Sequence, residues 1–146
     1  MIKFTPLFSG SKGNCSLIRS DGVNVLLDIG FGYKAIVKRL EELNVSPKEI
    51  DAVVITHEHT DHVSALPMWT KYWPSTKIFA PKAIADLICQ RSYSSDVTAI
   101  DGEFEIKNLR ITPYSCSHDA VCCYGYKFCD GQSSFASITD TGFVDQ

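Results

Sequence analysis

The chain lacks most of the features that would place it in a special class. Its six cysteines include no Cys-x-x-Cys pair, which removes a zinc-ribbon or dithiol redox reading. No apolar run approaches the ~18 residues of a membrane span. Pro6 and Ser9-Gly10-Ser11 interrupt the N-terminal segment, so no signal-peptide core is read there. Positive charge is not in excess: 14 Lys and Arg against 17 Asp and Glu leave a net charge of -3. Any binding of nucleic acid therefore requires a local patch, a partner or bound metal. Histidine is scarce, with four in 146 residues and none after His118.

What remains is one cytoplasmic domain spanning residues 1–146, 45% hydrophobic and able to bury a core. In that compartment the cysteines read as reduced thiols. Cys122, Cys123 and Cys129 lie in an aromatic-rich, strand-like stretch and read as small buried hydrophobes. Cys116 stands apart because it precedes His118 by two residues.

Periodicity predicts strands over Lys3–Phe8, Cys15–Arg19 and Val23–Leu27, the last two joined by an Asp21-Gly22 turn. Ile36, Val37, Leu40 and Leu43 predict a helix over Tyr33–Leu43. Ser46-Pro47-Lys48-Glu49 reads as a capped short turn. A buried strand, Ala52–Ile55, precedes a predicted helix over Val63–Trp73, with Pro67 in its first turn. A strand at Lys77–Ala80 and a helix at Lys82–Gln90 follow, and the chain is strand-rich from Val97 onward. The order implies a mixed sheet with helices on one face. The opposite face is expected to be bare, which makes it a candidate surface for dimerisation.

Three of the four histidines fall in one run, His57-Glu58-His59-Thr60-Asp61-His62, directly after the buried strand. On an extended strand end, His57 and His59 project to one side, with Glu58 turned away and Asp61 and His62 in a loop. Imidazoles and a carboxylate concentrated at a strand end suit zinc or a similar metal. His118 follows another predicted strand, in Ser115-Cys116-Ser117-His118-Asp119, where Asp119 reads as a residue orienting a histidine. The Gly-rich run Ser9 to Ser16 lacks a Gly-Lys-Ser/Thr ending and is not read as a phosphate loop. It reads as a tight turn beside the histidine run, with Asn14 orienting a ligand loop or substrate and Lys12 facing solvent. Leu66, Trp69 and Trp73 at helical spacing read as a core stripe in preference to a base-stacking surface.

His-x-His-x-Asp-His resembles the signature of the metallo-β-lactamase-fold hydrolases. The opening Ser9-Gly10-Ser11-Lys12-Gly13-Asn14, with Ser117-His118-Asp119-Ala120 and Ile138-Thr139-Asp140-Thr141-Gly142, is similar to the bacterial YycJ-type branch. That resemblance implies an αββα sandwich, of which this chain is the N-terminal half. It implies two divalent metal ions, zinc first with manganese or iron as alternatives. His57, His59 and His118 would form the first site, Asp61 and His62 the second, and Asp140 would bridge, so that Asp61 and Asp140 act catalytically. The family takes its last ligand from a later histidine, so the second site is expected to be incomplete here. The implied reaction is attack by a metal-bound hydroxide on phosphodiester bonds of DNA, as in an exonuclease. Two other readings stay open: a catalytically silent metal-binding or association module, and a thioester hydrolase of the glyoxalase II type.

Overall fold

A computed structural model describes residues 1–91, 96–115 and 124–137. Its first sheet has six strands: β1 (Lys3–Phe8), β2 (Cys15–Ser20), β3 (Val23–Leu27), β4 (Ala52–Val54), β5 (Lys77–Pro81) and β6 (Val97–Ile100). They lie side by side in sequence order. β1, β2 and β3 are antiparallel, and β3 through β6 are parallel. Asp21-Gly22 closes the β2–β3 hairpin, with Gly22 at a φ of 71° that suits a residue lacking Cβ. The parallel crossovers carry the helices α1 (Tyr33–Glu42), α2 (Thr60–Val63), α3 (Leu66–Tyr72) and α4 (Lys82–Gln90). Between α1 and β4 a single 3-10 turn, Pro47–Glu49, is capped where the Ser46 N–H donates to Glu49 Oε2 at 2.7 Å.

The strand pattern sorts side chains to two faces. Leu17, Leu26, Val53 and Ile78 pack with Ile36, Leu40, Trp69, Ile84 and Ile88 of the helices. Val25, Leu27, Ala52 and Val54 point the other way. That second face is not bare, contrary to expectation. β7 (Phe104–Ile106), β8 (Leu109–Ser115), β9 (Tyr124–Cys129) and β10 (Ser134–Ser137) form a separate antiparallel sheet, ordered β10-β9-β8-β7. Its Ile106, Leu109, Ile111, Tyr126 and Phe128 complete the core over Val25, Leu27 and Val54. Among the described residues the chain thus covers this face of its own first sheet. The mixed sheet with helices on one face is as expected.

The single helix predicted over Val63–Trp73 is two helices, α2 and α3, separated at Ser64–Ala65. Pro67 sits in the first turn of α3, where its missing N–H costs nothing. Trp69 is fully buried and donates from Nε1 to Thr76 Oγ1 at 3.1 Å, so it belongs to the core stripe. Among the described residues no helix is long and apolar enough to cross a membrane.

Candidate metal centre

The histidine run leaves the carboxyl end of β4, next to the carboxyl end of β3, the edge at which parallel sheets carry their sites. β4 ends at Val54, so strand alternation does not extend to residues 57–59. His59 is the N-cap of the one-turn helix α2, and Asp61 and His62 lie within that helix instead of in a loop. Glu58 does not turn out to solvent; it is buried, with Oε1 3.8 Å from His59 Nε2.

His57, His59 and Asp61 converge: one ligand atom from each lies within 4.8 Å of the others. Ligands held about 2.0–2.2 Å from one ion stand up to about 4.4 Å apart, so this donor set closes on a divalent ion after small side-chain shifts. Two imidazoles and a carboxylate fit zinc, iron or manganese chemically. Asp61, expected to begin a second site, therefore stands in the same group as His57 and His59. Its Oδ2 is also 3.5 Å from His62 Nε2, and the His57 and His62 rings lie 3.7 Å apart between centroids. The four side chains form one cluster. His57 and His62 are fully buried, whereas the His59 side chain is 37% exposed and opens the cluster to solvent.

A buried hydrogen-bond relay fixes how the two inner histidines are protonated. Asp28, which follows β3, accepts the Thr56 N–H at 2.8 Å through Oδ1. Its Oδ2 accepts the Thr56 hydroxyl at 2.8 Å and meets His62 Nδ1 at 2.6 Å. A carboxylate only accepts, so the His62 proton resides on Nδ1. The Thr56 hydroxyl proton is committed to Asp28, so Thr56 Oγ1 accepts from His57 Nδ1, 2.9 Å away. Both rings therefore carry the lone pair on Nε2, the arrangement by which outer carboxylates prepare imidazoles for metal. Asp28 was not singled out from the sequence. Its sequence signal is an acid closing the apolar strand Val23–Leu27; its φ of 61°, uncommon for a non-glycine residue, is visible only in the structure.

Asn14 meets the cluster as expected. Its backbone N–H donates to the Asp61 carbonyl at 2.8 Å, and its Nδ2 lies 3.3 Å from Asp61 Oδ2 and from His62 Nε2. Ile29 N–H donates to the His62 carbonyl at 2.9 Å, and Gly30 N–H to the Asn14 carbonyl at 2.8 Å. Gly30 is required here for space: a Cβ on it would overlap the backbone of Asp61 and His62. A Cβ on Gly13 would overlap the Gly30 carbonyl. The Gly-rich run is thus a backbone brace for α2, and Lys12 faces solvent. A cleft of ≈ 170 Å³ beside it is lined by Phe8, Asn14, Asp28 and Ser137, among others. Beneath the site, Tyr126 Oη donates to the Ile55 carbonyl at 2.7 Å and ties the second sheet to the strand that launches the ligands. Burial, with the Asp28 charge second, pushes the Cys15 thiol far up. His118, Asp140, Cys116, Cys122, Cys123 and Asp119 lie outside the described residues.

Comparison with known proteins agrees with this geometry. The chain is 29% identical to exodeoxyribonuclease WalJ of Streptococcus pneumoniae, over 97% of this chain and 55% of that protein. It is 27% identical to exodeoxyribonuclease YycJ of Bacillus anthracis, over 98% of this chain and 56% of the relative. It thus spans little more than half the length of these relatives. The crystal structure of the metallo-beta-lactamase fold protein YhfI from Bacillus subtilis superposes with a TM-score of 0.78. That match is at 21% identity, over 99% of this chain and 64% of the other. Residues 9–88, which include the Gly-rich brace, Asp28 and the whole histidine run, match the metallo-beta-lactamase superfamily, and the chain belongs to it.

Proposed function

We propose that this chain carries the metal centre of a metal-dependent hydrolase that cleaves phosphodiester bonds of DNA in the manner of an exonuclease. The convergence of His57, His59 and Asp61 within 4.8 Å is the observation that carries the reading. The names of the two exodeoxyribonuclease relatives support the choice of DNA. His57 and His59, with His118, would hold the first divalent ion; Asp61, which stands within reach of both His57 and His59 and of His62, would with His62 hold the second, with Asp140 between the two. Zinc is favoured by the imidazole content, with manganese or iron as alternatives. When bound, the metal supplies Lewis acidity at a phosphoryl oxygen and makes water acidic enough to attack near neutral pH.

The chain's own residues do the rest. Asp28 and Thr56 hold the Nε2 lone pairs of His57 and His62 toward the cluster. Asn14 Nδ2, 3.3 Å from Asp61 Oδ2, fixes the direction of that carboxylate. The burial of His57 and His62 keeps bulk water behind the ligands, while His59 marks the side open to substrate. A cytoplasmic setting belongs to the same proposal.

The test is hydrolysis of end-labelled DNA by the metal-loaded chain, with a His57→Ala variant beside it. Stepwise release of nucleotides from the ends, abolished by chelation and by His57→Ala, is expected. A metal-loaded chain that hydrolyses neither DNA nor a simple phosphodiester contradicts the proposal.

A further inference from the structure

We propose that an aromatic and basic ledge beside the metal centre binds single-stranded nucleic acid and holds the strand that leads to the cluster. The chain is acidic as a whole, yet its charge is unevenly placed. Stretches 1–20, 29–40 and 63–76 contain seven of its 14 Lys and Arg and no Asp or Glu. These stretches supply β1 and the Gly-rich brace, the first two turns of α1, and α3. Lys12, Lys34, Lys38, Arg39 and Lys71 are all exposed on them. This is a local patch of the kind that nucleic-acid binding by an acidic chain requires.

Aromatic rings lie among these cations. Phe8 stacks on Phe31 with centroids 3.9 Å apart and planes 8° from parallel, and Arg39 lies 5.9 Å over the Phe8 ring while also pairing with Glu42 at 3.4 Å. Tyr33 stacks on Tyr72 at 5.4 Å, and Lys71 lies 5.6 Å from the Tyr72 centroid. Trp73 Nε1 donates to Tyr33 Oη at 2.7 Å and anchors the second pair to the core. Tyr72 is 50% exposed and Met68, one turn before it, 40% exposed. Stacked rings with exposed cations beside them suit unpaired bases on a phosphate backbone, because every base has a π-face.

The ledge is continuous with the metal centre. Phe31 follows Gly30, which abuts the backbone of Asp61 and His62, and the Phe31 ring fills the space where Gly13 would carry a Cβ. Phe8 also lines the ≈ 170 Å³ cleft that contains Asn14 and Asp28. A strand lying over Tyr72 and Phe31 would therefore pass to the exposed edge of His59. Bases paired in a duplex cannot reach the rings, so the ligand is single-stranded. The purpose of this surface rests on the nuclease reading above, but the binding itself does not.

The test is fluorescence anisotropy with a labelled oligothymidylate in EDTA, where no hydrolysis occurs. Binding by the wild-type chain is expected to weaken with salt and to exceed binding of a duplex of equal length. Tyr72→Ala is expected to weaken it about fivefold or more, the effect of one lost stacking partner. Lys38→Gln and Lys71→Gln should each lower the slope of log affinity against log salt by about 0.7, while Lys82→Gln on α4 leaves it unchanged. Circular dichroism of each variant separates lost binding from lost folding. No binding by the wild-type chain, a preference for duplex, or a folded Tyr72→Ala with unchanged affinity overturns the ledge. Binding without hydrolysis once metal is restored leaves the ledge standing and removes the hydrolase reading instead.

Discussion

In an Asp28→Asn variant the side chain keeps its volume and loses its charge, which isolates the buried relay from packing. Asp28 accepts the Thr56 N–H at 2.8 Å, the Thr56 hydroxyl at 2.8 Å and His62 Nδ1–H at 2.6 Å. An asparagine oxygen can keep the first of these. Its NH2 then faces Thr56 Oγ1 and His62 Nδ1, which must accept where they previously donated. The His62 proton is forced to Nε2, and the Thr56 hydroxyl, turned to His57 Nδ1, forces that ring the same way. Both lone pairs leave the metal cluster. A hydrogen bond to a charged acceptor is worth about 1.5–3 kcal/mol, and because the amide re-pairs in reverse, the apo protein should lose about that much stability. Metal affinity should fall about 10–100-fold, the usual cost of losing an outer carboxylate. Urea unfolding of the metal-free protein gives the first number and chelator competition with zinc the second. Long-range nitrogen–proton NMR reads the tautomers of His57 and His62 directly. An Asp28→Asn protein that binds zinc as tightly as wild type, with Nδ1–H retained on both rings, refutes the relay.

Other consequences are checked more simply. Gly30→Ala places a methyl group against the Asp61 carbonyl; it should cost about 1–3 kcal/mol by overpacking and displace α2, so metal affinity falls with stability. The Asp130 carboxyl is held well below the usual carboxylate range by N–H groups of Ser133 and Gln132, then by the terminal ammonium and Ser20. Its folded-state pKa is depressed, so its contribution is complete above the unfolded pKa of about 3.9 and fades as pH falls below it. Thermal unfolding of Asp130→Asn should therefore show a deficit at neutral pH that closes in acid. The Cys15 thiol, buried and pushed up, should resist a thiol reagent in the native protein and react only on unfolding, whereas exposed Cys89 reacts at once.

Much of the first sheet was legible because its strands alternate or run apolar between clear turns, as at Val23–Leu27 after Asp21-Gly22. Four helical or turn segments were likewise marked by spacing and by Pro47 and Pro67. The second sheet was read as strands but not as a separate layer. Nothing local in Phe104–Ile106 or Leu109–Ser115 says that these strands leave β6 and fold back over Val25 and Val54; that is a long-range packing choice. At the site, the ligand types were visible in one six-residue run, but their directions were not. Strand alternation predicts a shared direction for His57 and His59, whereas the strand stops at Val54 and α2 re-aims Asp61 and His62. Asp28 was missed because its partners, Thr56 and His62, are 28 and 34 residues away.

The most direct measurement is zinc binding to the metal-free chain by isothermal titration, beside a His57→Ala/His59→Ala double variant. Saturable binding of at least about one ion per chain, lost in the double variant with the fold intact, is the predicted result. A folded wild-type chain that binds no transition metal, or a double variant that binds as well as wild type, contradicts the account.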